Sequence, residues 1–207
     1  MALKQKVKIV EVGLRDGLQN ESTTLSIDQR FQLLKKLLDA GIRNLEIGAY
    51  VSPKWVPQMA GTEQLVKKYH QSVSALQQKK INASVLVPND EGMHKAIETG
   101  IKEIAVFISS TETFSQKNIN CSIAESLMRV KSVMTLAKKN KIKVRGYLSV
   151  CFGCPYEGKV SEAKVVELAQ KLYKMGCYEV SIGDTIGIAN PIQVERLMEI
   201  ISSRGLR

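Results

Sequence analysis

The feature that most constrains the fold is a local pattern that occurs three times along the chain. At residues 40–47, 99–107 and 175–182, a helical segment ends at a glycine and a short spacer leads into an apolar run. Glycine closes helices because it adopts the left-handed backbone conformation without strain. Short apolar runs rich in β-branched residues are typical of strands buried on both faces of a parallel sheet. The pattern therefore predicts an α/β protein in which strands and helices alternate.

The alternation extends over six predicted units. We predict strands near residues 7–12, 44–48, 82–87, 103–109, 142–150 and 178–183, and helices near 27–40, 60–79, 90–99, 122–140, 160–175 and 191–203. Three helix starts carry capping signals: Ser26 with Gln29, Ser122 with Glu125, and Asn190 before Pro191. Six units fit the first three quarters of an eight-stranded βα barrel, or an open doubly wound sheet. No Gly-x-Gly-x-x-Gly motif follows the first strand, which weakens a dinucleotide-binding version of the open sheet.

Composition and charge narrow the class of protein. A chain of 207 residues with 44% hydrophobic residues can bury one core, so we expect residues 1–207 to form a single domain. No run approaches the roughly 20 apolar residues that span a bilayer, and the polar start resembles neither a secretory signal nor a mitochondrial presequence. We therefore expect a cytoplasmic protein with no membrane partner. The formal charge of +10 comes with scattered lysines and only 5% aromatic residues. This distribution argues against a nucleic-acid partner, although it can steer a polyanionic small substrate.

The four cysteines do not form a recognisable metal or redox motif. Only Cys151 and Cys154 have suitable spacing, and Pro155 predicts a loop rather than the helix that a redox Cys-x-x-Cys normally opens. We expect structural thiols, or thiols that line the rim of a site, all of them reduced in a cytoplasm.

Polar residues at strand ends are the candidates for chemistry, because the active sites of barrels lie at the carboxyl ends of the strands. The candidates are Arg15, Asp16 and Gln19 after the first strand, Glu46 in the second, Asn89 and Asp90 after the third, Ser149 and Cys151 after the fifth, and Asp184 and Thr185 after the sixth. An arginine offers a fixed fork of donors for an enolate or carboxylate oxygen. An aspartate is a hard oxygen ligand for a divalent metal.

Each candidate also has a structural alternative. Arg15 and Asp16 could form a pair that holds a loop, Glu46 could bridge to a lysine or arginine, and Asp184 could be an ordinary turn residue. Trp55 and Pro57, after the second strand, could shape a loop over a substrate or serve packing alone.

Several motifs nevertheless resemble one enzyme family. The string Arg-Asp-Gly-Leu-Gln-Asn at residues 15–20 closely resembles the start of the hydroxymethylglutaryl-CoA lyases, a metal-dependent family of TIM (β/α)8-type barrels. Similar segments follow in the expected order at residues 50–59, 117–123, 153–159 and 175–187. Leu18 separates the chain from the related synthases, whose first motif typically has Glu at that position. The resemblance implies a barrel with about six βα units in this chain.

The resemblance also implies an activity and its residues. The family cleaves 3-hydroxy-3-methylglutaryl-CoA to acetoacetate and acetyl-CoA, a step of leucine degradation and ketone-body metabolism, with Mg or Mn and no organic cofactor. Asp16 matches the metal-binding aspartate, and Arg15 matches the arginine that binds substrate and stabilises the enolate. Glu46 and Asp184 match acidic residues around the metal and substrate, and one of them, or a water molecule, could remove the hydroxyl proton. Gln19 and the strand-end Thr185 are expected to contact the acyl-CoA substrate.

The chain departs from the family in one respect. The lyases take metal ligands from a late His-x-His motif and a later Asn, and carry a cysteine in a late glycine-rich loop. The 207 residues contain no His-x-His and no cysteine in such a loop, so the chain is C-terminally short relative to the family. We expect it to be inactive alone. The alternatives are a related synthase that condenses acyl-CoA with a 2-oxo acid, and a truncated barrel that only binds acyl-CoA or self-associates as a homo-oligomer.

Overall fold

The computed structural model of the protein describes residues 7–205, apart from the side chain of Ala75. Its helices and strands, in chain order, are α1 (Ile27–Asp39), β1 (Asn44–Ala49), α2 (Thr62–Ser72), α3 (Ala75–Gln78), β2 (Asn82–Leu86), α4 (Asp90–Thr99), β3 (Glu103–Ser109), α5 (Glu112–Ile119), α6 (Ile123–Lys139), β4 (Lys143–Ser149), α7 (Glu162–Met175), β5 (Glu179–Ile182) and α8 (Pro191–Ser203). A short π-helical turn occupies Gly13–Gly17, and a 3-10 turn occupies Pro57–Met59. The predicted α/β class is confirmed.

The five strands form one sheet in the order β1-β2-β3-β4-β5. β1 pairs with β2 in parallel, with Glu46 opposite Ser84, and β4 pairs with β5 in parallel, with Arg145 opposite Glu179. Strand order that follows chain order, with a helix between successive strands, is the topology of βα units. The carboxyl ends of paired parallel strands lie at one edge of the sheet, which is the edge expected to carry the chemistry.

The chain divides into two compact units. The first contains the residues up to Val87 together with Glu91–Ile104, and the second contains Pro88–Asp90 together with the residues from Ala105 onward. In the first unit α2 packs on α1 and β1; in the second, α7 packs on β4, β5 and α8. Apolar side chains of these helices and of the strands form the cores: Leu34, Leu45 and Leu65 are fully buried in the first unit, and Leu148, Leu168 and Leu172 in the second. The single domain stays a prediction.

The predicted capping residues and the glycines that close helices are confirmed. Ser26 with Gln29 and Ser122 with Glu125 form complete capping boxes. Asn190 caps α8 as predicted, and Gln193 completes a third box there. The glycines of the recurring pattern, Gly41, Gly100 and Gly176, have φ of 92°, 75° and 110°. These signals could be found in the sequence because a cap depends on residues only three or four positions apart.

The first predicted strand, at residues 7–12, is wrong as a regular strand. Only Glu11 forms a bridge, parallel to Leu45, and the side chains of Val7 and Ile9 are exposed. The segment ends at Val12, whose carbonyl accepts hydrogen bonds from amides of the following turn. The apolar composition of residues 7–12 predicted a buried strand, but the other described residues do not bury this segment.

Two helices also differ from prediction. The helix predicted over residues 60–79 is two helices, because Val73 is extended (φ −102°, ψ 119°) and Ser74 begins a new turn by accepting the amide of Gln77. α5 was not predicted, since its residues are mostly polar and show no clear apolar face. It ends at Asn120, which adopts the left-handed conformation at φ 49°.

Candidate active site

The arginine and aspartate of the first motif lie on a tight turn. The carbonyl of Val12 accepts the amides of Arg15, Asp16 and Gly17 at 3.0, 2.7 and 3.4 Å. Three amides on one oxygen give the turn its π-helical form, a form that often occurs at functional sites. Asn20 strengthens the turn by donating from Nδ2 to the carbonyl of Asp16 at 2.7 Å. The turn therefore fixes two successive charged side chains on a short stretch of backbone.

Glu11 joins this turn to the strand beside it. Its amide donates to the carbonyl of Asn44 at 2.9 Å, and its carbonyl accepts the amide of Glu46 at 2.8 Å. Its carboxylate accepts the amide of Gly13 at 2.6 Å, and a Cβ at Gly13 would lie 2.8 Å from that same carboxylate oxygen. The sequence analysis missed Glu11. The available signal was an acidic residue inside an apolar run, two positions before a glycine.

Arg15 lies between two carboxylates. Its Nε donates to Oε1 of Glu46, and its Nη1 donates to Oδ1 of Asp16 at 2.7 Å. The Glu46 side chain is 0% exposed, that of Arg15 11% and that of Asp16 54%. The structure therefore brings together three of the predicted site residues. The alternatives of an Arg–Asp pair and of a Glu46 bridge to an arginine both describe contacts that are present.

The three side chains differ in burial, and therefore in whether they can contact a ligand. A fully buried carboxylate is costly unless it is paired, so Glu46 depends on the guanidinium of Arg15. Asp16 is the partly exposed member and can reach a ligand. Two carboxylates against one guanidinium leave a net negative charge, which suits a cation.

A metal ion would nevertheless lack ligands here. Among residues 7–205, no group of three or more His, Cys, Asp or Glu side chains could hold a metal ion. Asp16 offers one carboxylate, whereas Mg and Mn need near-octahedral coordination. The described residues do not fit a complete metal site. Gln19, the remaining predicted residue of this segment, lies half-buried on the helical continuation of the turn.

Asp184 and Thr185 belong to the second unit, where both organise a turn. The carboxylate of Asp184 accepts the amides of Ile188 and Ala189 at 3.1 and 2.9 Å. The hydroxyl of Thr185 accepts the amide of Val150 at 2.8 Å, and Val150 has φ 55°, a strained conformation for a β-branched residue. The turn role considered for Asp184 is thus present in the geometry. The catalytic role implied for Asp184 by the family resemblance stays a prediction.

Hydroxyl and thiol groups meet at the carboxyl ends of β3 and β4. Ser110 Oγ lies 3.7 Å from Cys151 Sγ, and Thr111 Oγ1 donates to Cys154 Sγ at 3.2 Å. All four cysteines are free and buried. Burial raises the pKa of Cys151 to about 11, so its thiol is neutral near pH 7. The sequence analysis had not singled out Ser110 and Thr111, although the run Ser-Ser-Thr after a buried strand was the available signal.

Of the other candidates at strand ends, two serve local structure. Asp90 accepts a hydrogen bond from Ser132 Oγ at 2.6 Å, and the carbonyl of Ser149 accepts the amide of Ser110 at 3.0 Å. Trp55 is 80% exposed, so packing does not account for it among the described residues. Pro57 is exposed as well and begins the 3-10 turn.

Comparison with known proteins decides the family. The profile of the HMGL-like family matches residues 6–205 of the 207. The chain belongs to the HMGL-like family. A curated relative from Pseudomonas aeruginosa, a 3-hydroxy-3-isohexenylglutaryl-CoA/hydroxy-methylglutaryl-CoA lyase, is 44% identical over 203 residues, which are 98% of this chain and 66% of that protein. The resemblance drawn from the motifs is confirmed.

Solved structures of family members confirm the barrel fold class. A hydroxymethylglutaryl-CoA lyase structure from Pseudomonas aeruginosa has a TM-score of 0.90 at 44% identity and covers 98% of this chain and 66% of that chain. An Acinetobacter baumannii lyase in complex with coenzyme A and 3-methylmalate has a TM-score of 0.87 at 31% identity, covering 94% and 62%. Lyases of this family are TIM barrels, and the five parallel strands seen here are consistent with part of one. The chain spans 66% or less of the length of these relatives.

Proposed function

We propose that this protein takes part in the cleavage of 3-hydroxy-3-methylglutaryl-CoA to acetoacetate and acetyl-CoA. In this retro-Claisen reaction the tertiary hydroxyl loses its proton and becomes the ketone of acetoacetate. The adjacent carbon–carbon bond breaks, and its electrons form the enolate of acetyl-CoA, which is then protonated. The observation that carries the proposal is Arg15, held by the buried Glu46 at a strand end, in a chain of the HMGL-like family.

Arg15 is the residue that stabilises the enolate. Negative charge develops on the thioester oxygen as the bond breaks, and a fixed guanidinium aimed at that oxygen stabilises the transition state more than the substrate. Rigid placement matters because an arginine that must reorient contributes less. The ion pair with Glu46, on a strand that is buried on both sides, supplies this rigidity.

Glu46 acts in this proposal as a positioning residue. It is fully buried and its Oε1 accepts from Arg15, so its first task is to orient the guanidinium. Removal of the hydroxyl proton then falls to Asp184 or to a water molecule. Gln19 and Thr185 contact the substrate. The exposed neighbours of Asp184 in its loop leave that carboxylate near solvent, where a proton can be passed on.

The cofactor proposed is a divalent Mg or Mn ion, with no organic cofactor. Such an ion acidifies a bound hydroxyl and orients it. Asp16 is the one residue of the described site that would ligate it, through a carboxylate that is already half exposed. Since the described residues do not complete a metal site, we assign no step of the reaction to the ion.

The substrate is proposed to be an acyl-CoA, with no nucleic acid or membrane partner. The Acinetobacter baumannii relative was solved with coenzyme A. The Pseudomonas aeruginosa relative is named for two substrates, one with a methyl and one with an isohexenyl group. We therefore include acyl-CoA substrates with a longer side chain in the proposed substrate class. We place the reaction in leucine degradation and ketone-body metabolism. Self-association as a homo-oligomer remains a prediction.

A cytoplasmic location also remains a prediction. The four free thiols fit a reducing compartment. Relatives include both bacterial and mitochondrial lyases. None of the helices described between residues 7 and 205 combines the length and the apolar composition of a membrane span.

One observation favours a second candidate function for these 207 residues alone. The lack of a three-ligand metal group among the described residues favours a chain that binds acyl-CoA without cleaving it. The lyase and binding-only functions differ in turnover and not in substrate class, so one experiment separates them.

The test compares two chains in the presence of Mn. One is the 207-residue chain, and the other is the same chain extended by the remaining segment of the Pseudomonas aeruginosa relative. Acetoacetate and acetyl-CoA are measured separately after incubation with 3-hydroxy-3-methylglutaryl-CoA. We expect equal amounts of both products from the extended chain, none after Arg15→Gln, and binding without turnover in the shorter chain. Binding by the extended chain without either product would refute the lyase function.

A further inference from the structure

Trp55 is the most exposed aromatic side chain among the described residues. Its side chain is 80% exposed, on the loop that follows the carboxyl end of β1. A solvated indole leaves unused the large apolar area that tryptophan normally buries. The exposed residues beside it, Ser52, Pro53 and Lys54, are not a contiguous apolar surface of the kind that protein partners cover.

The loop that carries Trp55 is held firmly. The amides of Trp55 and Val56 both donate to the carbonyl of Ser52 at 3.0 Å, which closes a turn. At the start of the loop, the amide of Tyr50 donates to the carbonyl of Leu86 at 2.8 Å. At its end, Arg30 donates from Nη1 to the carbonyl of Ala60 at 2.9 Å. Its backbone is therefore ordered before any ligand arrives, which lowers the entropic cost of binding.

Arg30 and Thr62 also fix the end of β1. Arg30 is fully buried and its Nη2 donates to the hydroxyl of Thr62 at 3.2 Å. A Cβ at Gly48 would lie 2.7 Å from that hydroxyl and 3.0 Å from Arg30 Nη2, so only glycine fits there. Strand and loop are thereby fastened to α1 and α2 within the first unit.

The same loop is tied to the segment that follows the Arg15 turn. Gln58 donates from Nε2 to the carbonyl of Glu21 at 2.9 Å. Glu11 and Leu45 form a parallel bridge, so the segment before the Arg15 turn and β1 run in the same direction. The Arg15 turn and the Trp55 loop therefore both follow the carboxyl ends of these two segments. Trp55 therefore belongs to the rim of the Arg15 site. Beside it, Lys54 Nζ lies 5.8 Å from the indole centroid.

We propose that Trp55 is a stacking platform for the adenine ring of the acyl-CoA, with Lys54 beside it for the phosphates. The inference rests on the proposed function. A CoA thioester carries its adenine at the end opposite the reacting carbonyl, so the base belongs on the rim and not beside Arg15. A flat exposed indole accepts any base by stacking, and the ammonium of Lys54 pairs with phosphate.

The single tryptophan of the chain makes the proposal directly measurable. Indole emission is followed while the 207-residue chain is titrated with adenosine 3′,5′-bisphosphate, with CoA, and with phosphopantetheine, which lacks the base. Excitation at the red edge of the indole band avoids absorption by adenine. We expect saturable quenching by the two adenine compounds and none by phosphopantetheine. Quenching by phosphopantetheine alone would overturn the assignment of the base.

Calorimetry with CoA gives an independent readout. Trp55→Ala is expected to weaken binding by about tenfold, the usual loss when one stacked base loses its aromatic partner. Trp55→Phe retains a ring and should recover most of that loss. Leu76→Ala is the matched control, because Leu76 is 74% exposed in the same unit and should leave affinity unchanged.

The outcomes separate this proposal from the function on which it rests. CoA binding that Trp55→Ala leaves unchanged would overturn the stacking proposal and leave the acyl-CoA function standing. An absence of CoA binding by calorimetry in both the 207-residue and the extended chain would overturn the acyl-CoA function itself. Emission that changes with protein concentration and not with nucleotide would show that a second copy covers the indole, which also overturns the proposal.

Discussion

The turn at Arg15 and Asp16 in the first unit and the turn after Asp184 in the second both follow an extended segment and both contain an aspartate. In the first, backbone groups satisfy the turn, because the carbonyl of Val12 accepts three amides. The Asp16 carboxylate contacts a guanidinium and stays 54% exposed. In the second, the Asp184 carboxylate itself accepts two amides of its loop. The two aspartates occupy similar positions after an extended segment, but Asp16 is available to a ligand whereas Asp184 holds its own loop.

The strands beside these two turns, β1 and β5, also differ in how deeply they are buried. All residues of β1 after Asn44 are buried, and its Glu46 is paired inside the protein. All four residues of β5 are only partly buried, and its Glu179 pairs with Arg145 while 28% exposed. Ion pairs gain strength where water is excluded and cost more when one partner is removed. The comparison therefore predicts that perturbing the first site costs more than perturbing the second.

The largest effect is expected from breaking the buried ion pair. Glu46→Ala leaves the Arg15 guanidinium without its buried carboxylate and should lower the free energy of unfolding by about 3 kcal/mol. Glu179→Ala, the matched change in β5, should cost about 1 kcal/mol because that pair is partly solvated. Urea unfolding of both variants measures the difference. Equal losses would show that burial does not distinguish the two strands.

Arg15→Lys tests whether the first site acts on the transition state. Lysine keeps the charge but loses the planar fork. In the extended chain, kcat should fall about 100-fold with KM nearly unchanged, the scale expected on losing one electrostatic donor. Arg43→Lys is the control, since among residues 7–205 the Arg43 side chain donates to the nearby carbonyls of Leu38 and Ile42 and is not part of the Arg15 site. A rise in KM with kcat unchanged would show that Arg15 binds substrate without stabilising the enolate.

The two aspartates can be compared directly for stability. Asp184→Ala removes two hydrogen bonds to amides and should cost about 2 kcal/mol. Asp16→Ala removes a partly solvated contact and should change the free energy of unfolding by less than about 0.5 kcal/mol. Urea unfolding at pH 7 measures both. If Asp16→Ala costs more, the exposed carboxylate is structural and its assignment to a metal loses support.

What could be predicted from the sequence depends on the distance between interacting residues. The caps at Ser26, Ser122 and Asn190 involve partners three positions away, and the sequence analysis found them. Arg15 could be singled out from its motif, but its contact with Glu46 spans 31 positions, and the sequence predicted a lysine or arginine partner for Glu46 without identifying it. A strand at residues 7–12 was wrong because pairing depends on a neighbour. Only Glu11 finds that neighbour.

The roles of the two aspartates could not be separated from the sequence either. Asp16 and Asp184 are each followed by a short polar or glycine-containing segment, and residue type alone does not show which amides a carboxylate accepts. Glu11 was missed because its position two residues before Gly13 indicates only a local contact, whereas its amide and carbonyl pair with β1, more than 30 positions away. Trp55 was recognised as a loop residue, but its exposure depends on how the loop is anchored at Arg30 and Gln58.

A change of pH should also distinguish the two units, without any substitution in a site. The four cysteines all lie in the second unit, and burial raises the pKa of Cys177 to about 12 from its ordinary value of 9.0. The unfolded chain loses this proton first, so the folded state is favoured fully below pH 9 and loses that advantage as pH rises toward 12. At pH 9.5, Cys177 alone should lower the free energy of unfolding by about 1 kcal/mol relative to pH 7.5.

Tyrosines of the first unit respond only at higher pH, which makes the comparison between units selective. Burial raises the pKa of Tyr69 to about 12 from 10.0, so its contribution begins to fall only near pH 10. Urea unfolding between pH 7.5 and 9.5 should therefore show a decline that Cys177→Ala reduces and Tyr69→Phe leaves unchanged. Above pH 10 the tyrosine variant should also reduce the slope. If Tyr69→Phe already removed the decline below pH 9.5, the alkaline loss of stability would originate in the first unit, around the buried β1. The difference in burial between β1 and β5 would then not predict how the stability of the two units responds to pH.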